Sequence, residues 1–286
     1  MTQNTVNDRA VHRVAWIGMG EMGRPMSARL IDVGIDVREV SLRADRDSDV
    51  VATALADVDV AVTCLPGPQQ VRGAWFGSGG LLASAPAGCV LIDVSTVGPT
   101  LAIELAEAAA QRGLSALDCP VSGGPAGATA GTLAVMAGGA ADTLEHMQPM
   151  LECFGTVHYC GGSGAGQTVK LINQAALAGI NAGLGLAYAL AVRSGVSLEL
   201  VQQVLSGGAA RGFLTDAMWP LMSADQLEGG FAVRHMRKDL GLTRELAQNL
   251  GVSVNFLDTV DDWFAAAQRE CGESVATQAI GRGVLA

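Results

Sequence analysis

Only two of the 18 basic residues in this chain are lysines, Lys170 and Lys238. A solvated surface accepts lysine or arginine alike, but arginine stays charged at any accessible pH. A position that must release and recover a proton therefore needs lysine. In GAGQTVKLINQ, residues 164–174, Lys170, Asn173 and Gln174 fall at i, i+3 and i+4, which puts them on one face of a helix. An exposed polar stripe has the same spacing. If the face is buried, the three groups need partners. A desolvated lysine drops from about 10.4 toward neutrality, where it serves as general acid and base.

Two glycine clusters offer binding for the other reactants. GMGEMG places Gly18, Gly20 and Gly23, with Met19, Glu21 and Met22 between them, directly after the strand-like RVAWIG and at the start of a helix-like run. Gly18 allows the tight turn, Gly20 lets a pyrophosphate approach the backbone, and Gly23 lets helix and strand pack closely. The free amides of the helix start suit phosphates. A ligand-free glycine turn is the plainer reading in a chain with 37 glycines, but the strand–turn–helix context favours a dinucleotide. At the tip of the second strand, Ser41 and Arg43, with Arg46 nearby, suit a ribose 2′-phosphate, whereas Glu39 sits mid-strand. The expectation is NADP over NAD. The second cluster, LDCPVSGGPAGATAG, offers the Ser122 hydroxyl and the amides of Gly123 and Gly124 as a cradle for a substrate carboxylate; a purely structural loop reads equally well.

The elements that must position these groups divide into two halves. RVAWIG, DVAVTCL (59–65) and CVLIDV (89–94) read as buried strands separated by helical stretches such as 99–113, with shorter strands in LSALDCP and GTLAVMAGG. This alternation predicts an α/β Rossmann-like, doubly wound parallel sheet over residues 13–163, after a flexible tail at 1–12. The stretch 41–58 is too short for a full crossover, third strand and return helix, so that unit is expected to be cut down. Arg38 and Glu39 then fit an edge strand. CGGSGAG (160–166) marks the joint to an all-α domain, 164–286, opened by a long helix at about 167–194 and followed by helix-like segments at 197–206, 213–224, 231–250 and 254–270.

Composition narrows the function. Net charge of −10 argues against nucleic-acid and polybasic membrane partners. No signal peptide is evident, and no apolar run is expected to reach membrane-spanning length without polar interruption. Four scattered histidines and six cysteines without CxxC spacing predict no metal site and reduced, mostly buried thiols in a cytoplasmic protein. Charged residues make up only 16% of the chain, so much of the surface is small or apolar, which predicts a homodimer or homotetramer.

Four ordered blocks, GMGEMGRPM, DCPVSGGPAGATAGTLAVMAGG, GAGQTVKLINQ and FAVRHMRKDL, resemble the β-hydroxyacid dehydrogenases from about Arg13 to the C-terminal end. That group includes 3-hydroxyisobutyrate dehydrogenase and tartronate semialdehyde reductase. The resemblance implies a small hydroxy acid or its semialdehyde as substrate and Lys170 as the catalytic acid/base. It assigns the carboxylate to Ser122, Gly123 and Gly124, and makes Asn173 and Gln174 orienting amides, Gln174 standing where many relatives carry a second Asn. Thr96 looks like the threonine beside the nicotinamide, with Leu65 and Pro66 also on the cofactor side. Phe231, Lys238 and Asp239 match a block bordering the active site. An imine reductase on the same scaffold is the nearest alternative, though those relatives commonly lack the lysine. Decarboxylating sugar-phosphate dehydrogenases carry a histidine where this chain has Asn173, and a non-catalytic dinucleotide-binding module is the reading from another class.

Overall fold

The computed structural model describes residues 11–40 and 48–286. Ser41, Arg43 and Arg46, on which the NADP expectation rests, and most of the expected N-terminal tail lie outside the described residues. The chain divides into two compact units, one ending at Lys170 and one beginning at Leu171.

Five parallel strands form the body of the first unit. They are β1 (Arg13–Ile17), β2 (Asp36–Val40), β3 (Val60–Thr63), β4 (Val90–Asp93) and β5 (Ser115–Asp118), in the order β2-β1-β3-β4-β5. The connecting helices are α1 (Gly23–Asp32), α2 (Ser48–Ala54), α3 (Pro68–Phe76), α4 (Leu81–Ser84) and α5 (Pro99–Gln111). Every residue of β3 and β4 is buried, as is VAWI of β1. Strands covered on both faces read as continuous apolar runs, which is why they stand out in the sequence. One core holds Trp16, Met26, Leu30 and Phe154, with Trp16 and Phe154 edge to face at 5.7 Å. The opposite core holds Ile17, Trp75, Leu91 and Leu101.

Among the described residues no strand lies between β2 and β3. Instead α2 leads into β3, which pairs directly with β1. This leaves β2 at the sheet edge with Arg38 and Glu39 only partly covered or exposed. Arg38 donates to the carbonyls of Ala54 and Ala56, and Glu39 Oε1 accepts from the buried Ser27 hydroxyl of α1 at 2.7 Å.

The parallel run ends at β5, a departure from a wholly parallel sheet. Residues 119–132 hold the two-residue β6 (Val121–Ser122) and the seven-residue α6 (Gly124–Ala130). β7 (Leu133–Gly139) then comes back antiparallel to β5 and β6. After α7 (Ala141–Leu151), β8 (Gly155–Gly161) adds parallel to β7.

The helix α8 (Ala165–Ser194) runs from the end of the first unit into the second. Its mean hydropathy over 18 residues is 1.7, and by length and composition it could cross a membrane, but Asn181 interrupts the apolar run, as the sequence predicts. Within the protein, 44% of that stretch is buried, and Lys170, Gln174 and Asn181 on the helix are buried polar residues. The second unit continues with α9 (Leu198–Gly207), α10 (Phe213–Ser223), α11 (Val233–Asn249), α12 (Asn255–Cys271), a 3-10 turn at Thr277–Ala279 and α13 (Ile280–Leu285). Val233, Met236, Leu240, Val260, Phe264 and Ile280 form its main core. Arg237 and Arg244 on α11 pair with Asp261 and Asp258 on α12 at 2.7 Å. The last turn and α13 go beyond the helices expected from the sequence.

Candidate active site

The C-terminal ends of β1, β3 and β4 lie side by side, and three sequence-predicted groups meet there. Gly18 takes φ +111° and donates to the Val40 carbonyl at 2.8 Å; a Cβ on it would lie 2.1 Å from the Cys64 carbonyl oxygen. A Cβ on Gly23 would lie 1.9 Å from the Gly18 carbonyl oxygen. Both glycines are thus required by close backbone contact. Gly20 is different: it is exposed, and a Cβ there would meet nothing within 4 Å. The first turn of α1 carries no acidic residue and no side-chain cap. An open glycine beside an uncapped helix start fits a dinucleotide pyrophosphate. Met19, Glu21 and Met22 complete this turn.

Polar side chains tie the next two strand ends together. Asp93 Oδ1 accepts from Thr63 Oγ1 and Ser95 Oγ, both at 2.7 Å, and the Leu65 amide donates to Ser95 Oγ at 2.8 Å. Leu65 and Pro66 after β3 are thereby held beside the loop that carries Thr96 after β4. The Cys64 thiol at this junction is pushed up to about 12 by burial and, secondarily, by Asp93. It is a packing group rather than a nucleophile.

The same loop is fastened to the start of α8. Gln167 is fully buried. Its Oε1 accepts from the amides of Val97 (3.0 Å) and Gly98 (3.1 Å), and its Nε2 donates to the Ser95 carbonyl at 2.8 Å. Asp118, at the end of β5, accepts from the Gly164 amide at 2.7 Å and the Gln167 amide at 2.8 Å. The carboxylate caps the helix from a remote strand and opposes its positive dipole end. Burial raises the Asp118 pKa to about 6, against the lowering effect of these two amides; the Asp93 charge adds to the rise. One turn beyond Gln167 stands Lys170, 7% exposed.

Ser122 sits in β6 opposite Ala134, and Gly123 and Gly124 follow with φ of +134° and +65°. A Cβ on Gly124 would meet nothing within 4 Å, so the turn presents its backbone openly. In the second unit, Asn173, Gln174, Lys238 and Asp239 form one chain of polar contacts. Asn173 Nδ2 donates to Gln174 Oε1 at 3.0 Å, and Gln174 Nε2 donates to Asp239 Oδ2 at 2.7 Å. Lys238 Nζ lies 3.0 Å from Asp239 Oδ1. Phe231 stacks on His235 at 6.3 Å. Gln174 and Asp239 are 1% and 2% exposed, so neither belongs to a solvated stripe.

Sequence reasoning missed Gln167, Asp118, Asp93 and Ser95. Each is a polar residue buried beside apolar runs, which was the available signal. The cysteines are less buried than expected: Cys89 and Cys119 are buried, and Cys64, Cys153, Cys160 and Cys271 are intermediate. Among the described residues no group of three or more His, Cys, Asp or Glu is placed to hold a metal ion.

Residues 13–162 match the family model described as the NAD-binding domain of 6-phosphogluconate dehydrogenase. Residues 164–283 match that of the NAD-binding region of NADP-dependent 3-hydroxyisobutyrate dehydrogenase. The NAD-dependent L-serine dehydrogenase of Pseudomonas aeruginosa is 35% identical, covering 82% of this chain and 85% of its own. The 3-hydroxyisobutyrate dehydrogenase of the same organism is also 35% identical, over 84% and 87%. The solved structure of Mycobacterium tuberculosis 3-hydroxyisobutyrate dehydrogenase with L-serine superposes with a TM-score of 0.84 at 30% identity, over 96% of this chain and 100% of the other. On these matches the chain belongs to the β-hydroxyacid dehydrogenases, oxidoreductases that move hydride between a nicotinamide coenzyme and a hydroxy acid.

Proposed function

We propose that this enzyme interconverts a small β-hydroxy acid and its semialdehyde, with Lys170 as the proton-transfer group. The observation that carries the reading is the placement of Lys170. It is almost fully buried, one turn from a helix start fastened to the Thr96 loop. The substrate carboxylate rests on the Ser122 hydroxyl and the Gly123 and Gly124 amides. Neutral Lys170 Nζ takes the hydroxyl proton as the carbonyl forms, and returns it in reduction. When bound, the nicotinamide supplies the hydride chemistry. Asn173 and Gln174 follow Lys170 on α8 at i+3 and i+4, and Asp239 fixes the Gln174 amide, which in turn receives Asn173 Nδ2. Both named Pseudomonas relatives act on acids with a hydroxyl at the β carbon, which supports this substrate class.

The coenzyme preference we propose is NADP, resting on Ser41, Arg43 and Arg46. The hydrogen bond from Ser27 supports it by engaging Glu39, the acid that would compete for a free ribose 2′-hydroxyl. Parallel titrations with NADPH and NADH decide the point, and equal affinities would refute the preference. We also assign the apolar exposed side chains of the second unit to contact with a second copy of this chain. Leu186 and Leu190 on α8, Leu200 and Val204 on α9, and Phe213, 84% exposed, are the main ones. Exposed apolar surface of this kind marks interfaces.

Turnover with 3-hydroxyisobutyrate, L-serine and related hydroxy acids tests the central reading. Lys170→Ala and Lys170→Arg should each lower turnover by about 10²-fold or more, the usual size of acid–base catalysis, while coenzyme still binds. An arginine variant that keeps its turnover would remove Lys170 from the proton-transfer role.

A further inference from the structure

The β4–α5 loop and the start of α8 are joined by one side chain that the mechanism does not otherwise use. A carboxamide offers one acceptor oxygen and two donor hydrogens. In Gln167 the oxygen receives two main-chain amides, Val97 and Gly98, and the nitrogen gives to the Ser95 carbonyl. Two donors on one side and a carbonyl on the other leave a single orientation for the amide. Thr96 lies between the clamped residues. On the helix side, the Gln167 backbone amide is itself fixed by Asp118, and Lys170 follows three residues later.

We propose that Gln167 is a positioning residue for hydride and proton transfer: its carboxamide holds the main chain on both sides of Thr96 to the helical turn that presents Lys170. The proposal rests on the reading of Lys170 and Thr96 given above. Bulk apolar packing would hold the loop near the helix without fixing its register. Three directed hydrogen bonds fix it, and misplacement of about 1 Å between reacting groups costs about 10²-fold in rate. Gln167 touches neither substrate nor coenzyme in this scheme; it acts through Thr96 and Lys170.

Gln167→Met keeps the side-chain length and removes all three bonds. In the full-length protein, kcat with the best hydroxy acid should fall by about 10- to 100-fold. The NADPH dissociation constant and the number of coenzyme sites per chain should stay close to wild type. By NMR, the Val97 and Gly98 amides should exchange with solvent about tenfold faster or more, the protection of one hydrogen bond. Wild-type kcat in Gln167→Met, with Lys170→Ala inactive, would overturn the proposal and leave the function intact. A kcat that falls only in proportion to lost coenzyme sites would reduce Gln167 to a folding role and equally overturn it. Full turnover in Lys170→Ala would overturn the proposed function, and this inference with it. If Gln167→Met does not fold, the wild-type protein still decides: Val97 and Gly98 amides exchanging as fast as those of exposed loops would rule out the clamp.

Discussion

Gly18 and Gly20 stand two residues apart in one turn, yet adding a methyl group should have opposite consequences at the two positions. At Gly18 the backbone is at φ +111° and the new Cβ would lie 2.1 Å from the Cys64 carbonyl oxygen. That carbonyl cannot retreat cheaply, because the Cys64 amide is bonded to the Ile17 carbonyl at 2.8 Å. Left-handed strain costs about 1–3 kcal/mol, and forcing β1 and β3 apart adds about 1–3 kcal/mol more. Gly18→Ala should therefore destabilise the protein by about 2–6 kcal/mol. At Gly20 nothing lies within 4 Å and φ is outside the left-handed region. Alanine there should be neutral, or stabilising by about 0.4–1 kcal/mol through the unfolded chain. Its cost appears only when a pyrophosphate approaches. Losing one hydrogen bond to a charged group costs about 1.5–3 kcal/mol, or about 10- to 150-fold in coenzyme affinity. Urea unfolding and NADPH titration of both variants separate the two effects. If Gly20→Ala binds NADPH and NADH as wild type does, the pyrophosphate does not rest on this turn. A Gly18→Ala variant of unchanged stability would refute the geometry.

Two further outcomes follow, one from a buried carboxyl and one from exposed apolar side chains. Because burial raises the Asp118 pKa from 3.8 to about 6, the folded protein holds a proton that the unfolded chain has already released, and this contribution to stability falls as pH rises through that window. Asp118→Asn should flatten this part of the pH dependence in urea unfolding, and a wild-type advantage over Asp118→Asn that grows with pH there would contradict it. The apolar faces of α8, α9 and α10 predict a dimer or larger symmetric assembly; light scattering that gives a stable 29.2 kDa species at micromolar concentration would refute this.

Much of the fold and part of the site were legible because their causes are local. Gly18 and Gly23 answer to contacts within their own βα unit and the neighbouring strand. The runs VAWI, VAV and VLI are apolar throughout because both sheet faces are covered, and polar residues, Thr63 and Asp93, come only at the ends of β3 and β4. Lys170, Asn173 and Gln174 share a face by helical spacing alone. The antiparallel return of β7 was hidden because the stretch 119–132 is long enough for a parallel crossover as well, and α13 because GRGVLA has weak helical preference.

The polar fastenings were hidden for a different reason. Gln167 binds residues 69 to 72 positions away, Asp118 reaches 46 and 49 positions, and Gln174 reaches 65. A buried polar side chain must find a partner, so the need was visible while the partner was not. Two glycines carry the trace of the pairing. A Cβ on Gly138 would lie 2.6 Å from Asp118 Oδ1, and one on Gly166 would lie 2.3 Å from the Met136 carbonyl oxygen and 2.9 Å from Asp118 Oδ2. In a chain with 37 glycines these two look like filler. They are the positions that let β7 and the start of α8 approach closely enough for the Asp118 carboxylate to cap the helix that carries Lys170.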